Sequence, residues 1–258
     1  MTSLTHRDDL LRDQLAHLPY GTRRATDAGA PVRVGATGTG DSLLVLFWSA
    51  AELARERAAG VRVLSALGVR PDMRVANTLP GALATPGALL LGDVVEELGA
   101  LDVPLGTIDG PSAARAAWEL FDRVQPEVVV LADGAFLASV PAGTRPWWRM
   151  IVWLRSGRVA PTPAPPAGFT GVERTWLAVP EATSFVAGSC AVGRFHADER
   201  VVVEIADPET GAPCPEGSLV VTPLDVETAV ARYASGLTGR IVPGPCGCGA
   251  RGVVLEVR

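Results

Sequence analysis

In the first 154 residues, segments with unbroken apolar runs alternate with segments whose apolar residues are three and four positions apart. Unbroken apolar runs predict buried strands, and apolar residues three and four positions apart predict amphipathic helices. The helices are expected at 8–17, 49–68, 83–99 and 111–125, and the strands at 43–48, 73–78, 101–106, 126–133 and 150–154. Strands and helices that alternate with short links predict an α/β fold with a mostly parallel sheet flanked by helices.

Two local features refine this picture. Ser49 is followed three residues later by Glu52, which is the pattern of a capping box at the start of the second helix. Residues 21–42 are rich in Gly and Thr and are expected to form a loop.

The pattern changes after residue 171. Short alternating segments predict strands at 173–179, 200–207, 218–224, 229–234 and 251–257. The proline-rich stretch 159–168 predicts a connector, and 207–217 predicts a long turn. We therefore divide the chain into an α/β domain at 1–171 and a small β-rich subdomain with a Cys-rich end at 172–258.

The composition predicts a soluble globular protein, with 48% hydrophobic and 20% charged residues in 258. A net charge of −5 spread along the chain argues against nucleic-acid binding. No apolar run reaches the roughly 18 to 20 residues of a membrane span, and the N-terminus is too charged for a signal peptide. Four cysteines without a secretion signal indicate the cytoplasm and favour metal binding over disulfides.

All 23 basic residues are arginine, although a chain of this length would ordinarily carry roughly fifteen lysines. A GC-rich genome explains the bias, since it would also favour the many Ala, Gly, Pro and Val codons. Whatever its origin, the bias excludes lysine-dependent chemistry from this polypeptide, including a Schiff base and a phosphate-loop lysine.

No catalytic residues are identified by motif. The three histidines, His6, His17 and His196, have no evident Ser or Cys nucleophile beside them. Gly-x-Ser-x-Gly, His-Glu-x-x-His and Gly-x-Gly-x-x-Gly motifs are missing from the sequence. Four tryptophans either line an aromatic pocket or pack in the core: Trp147, Trp148, Trp153 and Trp176.

The cysteines suggest a structural zinc site. Cys246 and Cys248 form a Cys-x-Cys turn, and Cys190 and His196 bracket the start of the β-rich region. These four side chains would complete a closed tetrahedral Cys₃His site. Free buried thiols and a disulfide are the alternatives, and Cys214 is a candidate to replace His196.

Several segments, in this order, resemble the phenylacetate–CoA ligase family of the adenylate-forming superfamily. They are RDDLLRDQLAHLPYG (7–21), GATGTGDS (35–42), ELGALDVPLG (97–106), DPETG (207–211), RYASG (232–236) and GPCGCGARG (244–252). The resemblance covers nearly the whole chain. It implies the fold of the N-terminal domain of such enzymes, and the family's Cys and His positions favour His196 over Cys214 as a metal ligand.

The resemblance also assigns binding roles. Thr37, Gly38, Thr39 and Gly40 correspond to the family's phosphate loop, and their backbone N–H groups and hydroxyls suit an anion. Glu181 corresponds to a magnesium ligand, and Arg232 to a nucleotide-binding position. The alternatives are a surface turn at 37–40, a solvated glutamate and an arginine that pairs on a strand.

Three departures weaken the case for ATP, AMP or CoA as cofactors. The family's phosphate-loop lysine is Asp41 here, and Leu237 replaces the aspartate that would bind the ribose hydroxyls. The adenine-stacking aromatic residue is missing from 177–181. The sequence given ends at Arg258, so we expect no lysine-bearing C-terminal domain.

The expected function is therefore a truncated, motif-degenerate relative of these ligases that does not adenylate alone. It would bind a small acyl or aromatic molecule, or catalyse a repurposed step, in a biosynthetic pathway. One alternative is a genuine AMP-forming ligase or acyl transferase completed by a partner chain. Another is a non-catalytic structural subunit that binds a partner protein or forms a homodimer.

Overall fold

The computed structural model describes residues 3–25, 27–81, 86–156, 163–224, 227 and 230–258. Its helices are α1 Arg7–Ala16, α2 Ala50–Leu67, α3 Pro86–Glu97, α4 Pro111–Val124 and α5 Ala135–Ala138. Its strands are β1 Pro31–Thr37, β2 Leu44–Ser49, β3 Arg74–Asn77, β4 Leu101–Pro104, β5 Val128–Leu131, β6 Met150–Ser156, β7 Val172–Val179, β8 Thr183–Ser189, β9 Phe195–Ala197, β10 Val201–Ala206, β11 Gly217–Pro223, β12 Tyr233–Val242 and β13 Val254–Val257.

Eleven strands form one sheet in the order β10-β11-β12-β13-β9-β8-β7-β6-β5-β3-β4. In this order, neighbouring strands pair antiparallel from β10 as far as β7, and they pair parallel from β7 to β4. The predicted α/β fold with a β-rich region is therefore confirmed. β6 pairs with β7 from Met150↔Val172 onward, so the sheet continues across residue 171, and the division into domains there stays a prediction.

The parallel half is covered by helices on both faces. In β5, Val128 and Val130 pack in a core that includes residues of α2 and α3, whereas Val129 and Leu131 pack in one that includes Phe121 of α4. A strand buried on both faces has apolar residues at every position, which explains the unbroken apolar run at 128–131.

Helix α2 begins and ends where its sequence predicts. The Ser49 hydroxyl accepts from the Glu52 N–H at 3.1 Å, and the Glu52 carboxylate accepts from the Ser49 N–H at 3.0 Å. Gly68 ends the helix with φ +104°, in the left-handed region that glycine adopts most easily. The predicted capping box is confirmed.

Two predictions for residues 21–49 were wrong. The stretch 21–42 was expected to be entirely loop, but β1 forms there and pairs with β2 in a separate two-stranded sheet. Val32 and Val34 alternate with Arg33, a strand pattern that the surrounding Gly and Thr residues concealed. The segment 43–48 forms a strand as expected, but its predicted burial was wrong: most of β2 is only half-buried because the hairpin lies outside the main sheet.

In the second half, strands β7, β10, β11 and β13 lie close to their predicted positions. The predicted strand 229–234 was misplaced. Residue 229 lies outside the described residues, 230–232 are not in a strand, and β12 runs from Tyr233 to Val242. Strand β8 and the short β9 were missed. β8 has a sequence poor in β-branched residues, yet every residue in it is buried; a Cβ at Gly188 would lie 3.0 Å from Leu67 of α2.

The remaining segments follow the predictions where the structure describes them. Residues 163–168 of the predicted connector have neither helix nor strand, and 159–162 lie outside the described residues. Residues 83–85 of the predicted third helix also lie outside them. The turn at 207–217 is held by Asp207, whose carboxylate accepts from the Thr210 N–H at 2.8 Å. No helix in the described ranges is long and apolar enough to cross a membrane.

Candidate functional site

The loop predicted to bind an anion closes on itself. Residues 40–42 form a single helical turn after β1. The Ser42 N–H donates to the Thr39 carbonyl at 3.1 Å, and the Leu43 N–H donates to the Gly40 carbonyl at 3.0 Å. The Thr39 N–H donates to the Ser42 hydroxyl at 3.2 Å. The N–H groups of Thr39, Ser42 and Leu43 are thus engaged inside the loop, and Thr39 is the one of these that belongs to the predicted anion-binding residues 37–40.

An arginine side chain lies against this loop. Arg7 Nη1 donates to Thr37 Oγ1 at 2.9 Å and to Glu181 Oε1 at 3.0 Å. Arg7 Nη2 donates to the Thr37 carbonyl at 2.7 Å and to the Ser42 carbonyl. A Cβ on Gly38, whose φ is +77°, would come within 2.5 Å of Arg7 Nη2. Glycine at position 38 therefore allows the guanidinium to approach this closely.

Two of the residues assigned by resemblance meet at this arginine. The Thr37 hydroxyl donates to Glu181 Oε1 at 3.0 Å, and the side chains of Arg7 and Glu181 are 26% and 11% exposed. The carboxylate expected to hold magnesium thus forms a partly buried ion pair with Arg7. We call Arg7, Thr37, Ser42 and Glu181 the arginine clamp.

The sequence alone did not point to Arg7, because its partners lie far away along the chain and no local motif marks it. The segment before α1 fixes its position. The Thr5 N–H donates to the Arg232 carbonyl at 3.0 Å, and the Ala234 N–H donates to the Thr5 carbonyl at 2.9 Å. This pairing anchors the start of α1 beside β12 and directs Arg7 to the loop.

The other positions assigned by resemblance lie in different surroundings. Arg232 Nε is 3.2 Å from Glu204 Oε2, and its Nη2 donates to the Gly211 carbonyl at 2.8 Å, so these contacts tie it to the turn at 207–217. Leu237 is 4% exposed and packs in the core of the antiparallel half. Asp41 is exposed.

The four predicted metal ligands lie together. The ligand atoms of Cys190, His196, Cys246 and Cys248 are all within 4.8 Å of one another. Cys190 Sγ lies 3.8 Å from Cys246 Sγ, and Cys248 Sγ lies 3.2 Å from His196 Nε2. Zn–S bonds of about 2.3 Å in a tetrahedron place two sulfurs about 3.8 Å apart. The residues therefore fit a zinc ion.

The surroundings of Cys190 also favour a cation. Burial opposes ionisation of Cys190, but hydrogen bonds from the Val192 and Arg194 backbone, together with His196, lower its pKa to about 6. All four cysteines are free. The remaining cysteine, Cys214, donates instead to the Glu216 carbonyl at 3.2 Å.

A partly buried carboxylate organises the start of α2. Glu227 accepts from the Ser49 hydroxyl at 2.8 Å, from Arg24 Nη2 at 3.0 Å and from the Gly29 N–H at 3.0 Å. Arg55 Nη2 lies 3.4 Å from the same carboxylate. No sequence pattern indicates this network, since its members come from three separate segments.

A cavity of about 90 Å³ lies beside this network, between α1, β2, α2 and residues 180–182. Its lining includes four arginines and three aromatic side chains: Arg23, Arg24, Arg55, Arg200, Tyr20, Phe47 and Trp48.

One acidic residue of the cavity lining is deeply buried. Glu56 accepts from the Thr183 hydroxyl at 2.7 Å and from the Ser184 N–H at 2.9 Å. Burial raises the pKa of its carboxyl, although these two hydrogen bonds oppose the shift. Glu56 is therefore less ionised than an exposed glutamate.

The tryptophans belong mainly to the core. Trp147 and Trp148 pack with Phe121 at ring-centroid distances of 5.2 Å and 5.3 Å. Trp176 is stacked on Phe185 at 4.7 Å. Of the two interpretations of the tryptophans, these contacts favour core packing.

No protein-family model and no curated protein matches this sequence. Its fold does match solved structures. An open conformation of 2-hydroxyisobutyryl-CoA ligase, in complex with 2-HIB-AMP and CoA, matches with a TM-score of 0.83 at 16% identity. That match covers 98% of this chain and 62% of the ligase chain, so this chain spans less than two thirds of the ligase.

Two further structures agree. The N-terminal domain of FACL13 from Mycobacterium tuberculosis matches with a TM-score of 0.62 at 14% identity, over 97% of this chain and 66% of that one. A long-chain-fatty-acid-CoA ligase, FadD1 from Archaeoglobus fulgidus, matches with a TM-score of 0.60 at 12% identity, over 87% and 50%. The chain thus has the fold of the N-terminal domain of adenylate-forming acyl-CoA ligases.

Proposed function

We propose that this protein is a small-molecule-binding member of the phenylacetate–CoA ligase-like branch, and that it does not adenylate a carboxylate by itself. Its ligand is an acyl or aromatic carboxylate or the thioester derived from it. The observation that carries this proposal is the arginine clamp.

The clamp engages the groups that the resemblance assigns to ATP and magnesium. Both terminal nitrogens of Arg7 bind acceptors of the protein, and two of these acceptors are carbonyls of the loop. Glu181 is paired with Arg7. A magnesium ion at Glu181 would have to compete with that pair. The chain also has no lysine at this loop or elsewhere in its sequence.

ATP–pyrophosphate exchange tests this proposal. The purified chain is assayed with a panel that includes phenylacetate, 2-hydroxyisobutyrate and anthranilate, and we expect no exchange above the protein-free blank. Glu181→Gln serves as the control, because it removes the carboxylate that the resemblance assigns to magnesium. Robust exchange by the unaltered chain that disappears in Glu181→Gln would contradict the proposal. Exchange that requires an added ligase-like chain would instead favour the partner-completed enzyme.

We also propose that Cys190, His196, Cys246 and Cys248 bind a structural zinc ion. Four sulfur and nitrogen ligands make a closed site that leaves no position for a substrate. Bound zinc would join the turn at 246–248 to the segments around β9.

Metal analysis of the purified protein tests this site. We expect about one equivalent of zinc, lost in Cys248→Ser and retained in Cys214→Ser, which alters a cysteine outside the cluster. Less than about a tenth of an equivalent in the unaltered protein would rule the site out.

A further inference from the structure

Helix α1 has little apolar contact with the rest of the protein. Among its residues, all of which the structure describes, Leu10 is the only buried apolar one; Leu11 is half-buried and Leu15 is 63% exposed. A surface helix of a globular protein usually buries a stripe of roughly three to four apolar residues in every two turns. The hydrophobic effect therefore contributes little to the docking of α1.

Polar contacts hold α1 in place instead. Arg7 binds the loop and Glu181 in the arginine clamp. One and a half turns further along, the Gln14 side chain donates to the Val45 carbonyl at 2.8 Å and accepts from the Val45 N–H at 2.9 Å. Water can replace such hydrogen bonds when the helix moves away, so the net stabilisation from each is small.

The segment that contains α1 is fixed by the backbone at both of its ends. On one side Thr5 pairs with β12, as described above. On the other side the Ala25 N–H donates to the Glu227 carbonyl at 2.7 Å, and the preceding Arg24 is paired with the Glu227 carboxylate. Residues 6–23 can therefore move as a unit while both anchors stay in place.

The same segment covers two features of the candidate site. Arg7 lies against the loop at 37–42 and against Glu181. Five further residues of the segment form a wall of the cavity beside α2: Leu10, Asp13, Gln14, Tyr20 and Arg23. Movement of residues 6–23 would thus open the cavity and the clamp together.

We propose that residues 6–23 form a lid, which opens locally while the rest of the protein stays folded. Opening releases the Glu181 carboxylate from Arg7 and exposes the cavity to solvent. Segments with few buried apolar contacts open at a lower free energy than the core does. Helix α2 is the internal comparison, because it buries apolar residues along its whole length. The lid does not depend on the proposed function, since it concerns access to the site and not its chemistry.

Hydrogen exchange of the backbone amides tests the lid, under conditions in which the exchange rate reports the population of the open form. The amides of 11–16 report the opening of α1, and the slowest amides of α2 report unfolding of the core. We expect the α1 amides to exchange at least about 100-fold faster than the slowest α2 amides, after correction for their intrinsic rates.

Two substitutions on α1 test whether the clamp holds the lid closed. Arg7→Met should speed exchange of the α1 amides by about 30-fold or more, because the pair that it breaks is partly buried. Arg12→Met is the matched control on the same helix, since the Arg12–Asp9 pair is exposed and lies within the lid. We expect it to change the exchange of α1 by less than about threefold.

A substitution in the core tests whether the lid opens independently. Gly60 lies on α2 against Val94 and Phe185, outside the lid, so Gly60→Ala alters the open and closed forms equally. It should speed the slowest α2 amides by about fivefold or more and change the α1 amides by less than about twofold. Low concentrations of denaturant provide the same test without a substitution: exchange of α2 should accelerate and that of α1 should stay nearly constant, because lid opening exposes little surface.

Three outcomes would overturn the lid: α1 amides that exchange as slowly as the slowest α2 amides, α1 amides that follow α2 in Gly60→Ala or in denaturant, or equal effects of Arg7→Met and Arg12→Met. Thermal unfolding verifies that each variant is folded. None of these outcomes bears on pyrophosphate exchange, so the lid and the proposed function fail separately.

Discussion

Replacing Arg7 with methionine removes the guanidinium of the arginine clamp and keeps an apolar stem. The change deletes hydrogen bonds to Thr37, Ser42 and Glu181, and it leaves the Glu181 carboxylate with Thr37 as its remaining clamp donor. The expected loss of unfolding free energy follows from burial. Exposed ion pairs contribute about 0–1 kcal/mol, and removal of one partner of a fully buried pair costs about 3–5 kcal/mol.

The clamp lies between these limits, since its two charged side chains are 26% and 11% exposed. We therefore expect Arg7→Met to lower the free energy of unfolding by about 2–3 kcal/mol. In a chain of this size that corresponds to a fall in melting temperature of roughly 5–10 °C. Denaturant unfolding followed by circular dichroism measures the free energy, and a thermal scan measures the melting temperature.

Arg12→Met on the same helix is the control, because the Arg12–Asp9 pair is 76% and 36% exposed and should contribute less than about 0.5 kcal/mol. A double-mutant cycle with Glu181→Gln should give a coupling of about 1 kcal/mol or more. A loss for Arg7→Met no larger than for Arg12→Met, or additive effects in the cycle, would refute the clamp as a stabilising contact.

Three further substitutions test other contacts. Gly60→Ala should destabilise the protein by about 1–3 kcal/mol in denaturant unfolding, because a Cβ there would lie 2.5 Å from Val94 Cγ2. Alanine favours helices, so a gain in stability would show that this close contact is not decisive. Gln14→Leu should lower the free energy of unfolding by about 1–2 kcal/mol. The Gln14 side-chain amide donates to the Val45 carbonyl at 2.8 Å and accepts from the Val45 N–H at 2.9 Å. A change below about 0.5 kcal/mol would show that these hydrogen bonds do not stabilise the fold. Burial raises the pKa of Glu56 above its ordinary value of 4.5. The folded chain therefore holds this proton more tightly than the unfolded chain. The contribution of protonated Glu56 to stability is full below pH 4.5 and declines as the pH rises towards the raised pKa. Between about pH 4.5 and 8, the unfolding free energy of the unaltered protein should therefore fall relative to that of Glu56→Gln as the pH rises. A difference that does not change with pH would contradict the raised pKa of Glu56.

Local signals in the sequence predicted the features that depend on neighbouring residues. The Ser49–Glu52 capping box needs only four consecutive positions, and the apolar run of β5 shows directly that both faces are covered. The close approach of Cys190, His196, Cys246 and Cys248 was predictable for a different reason. Cysteine and histidine are so few in this chain that the possible four-ligand sets are limited.

Features that depend on tertiary packing could not be predicted in this way. Strand β8 contains Gly188, Ala187 and two serines, and its burial follows from the approach of α2. The clamp joins Arg7 to Glu181, and the network of Glu227 joins side chains that no spacing rule connects. Charged residues of this kind look like ordinary surface residues until the fold brings them together.

The position of β13 has a consequence for how quickly the protein folds. β13 lies between β9 and β12, so these two strands are connected in the sheet only through it. Pairings between segments so distant in sequence form slowly, because a long loop must close before any contact is gained. The cysteine turn at 246–248 shortly precedes β13, and of its candidate zinc partners Cys190 precedes β9 and His196 lies in it. A zinc ion bound there would close that loop early, so refolding in the presence of a chelator is expected to be slower than refolding with zinc.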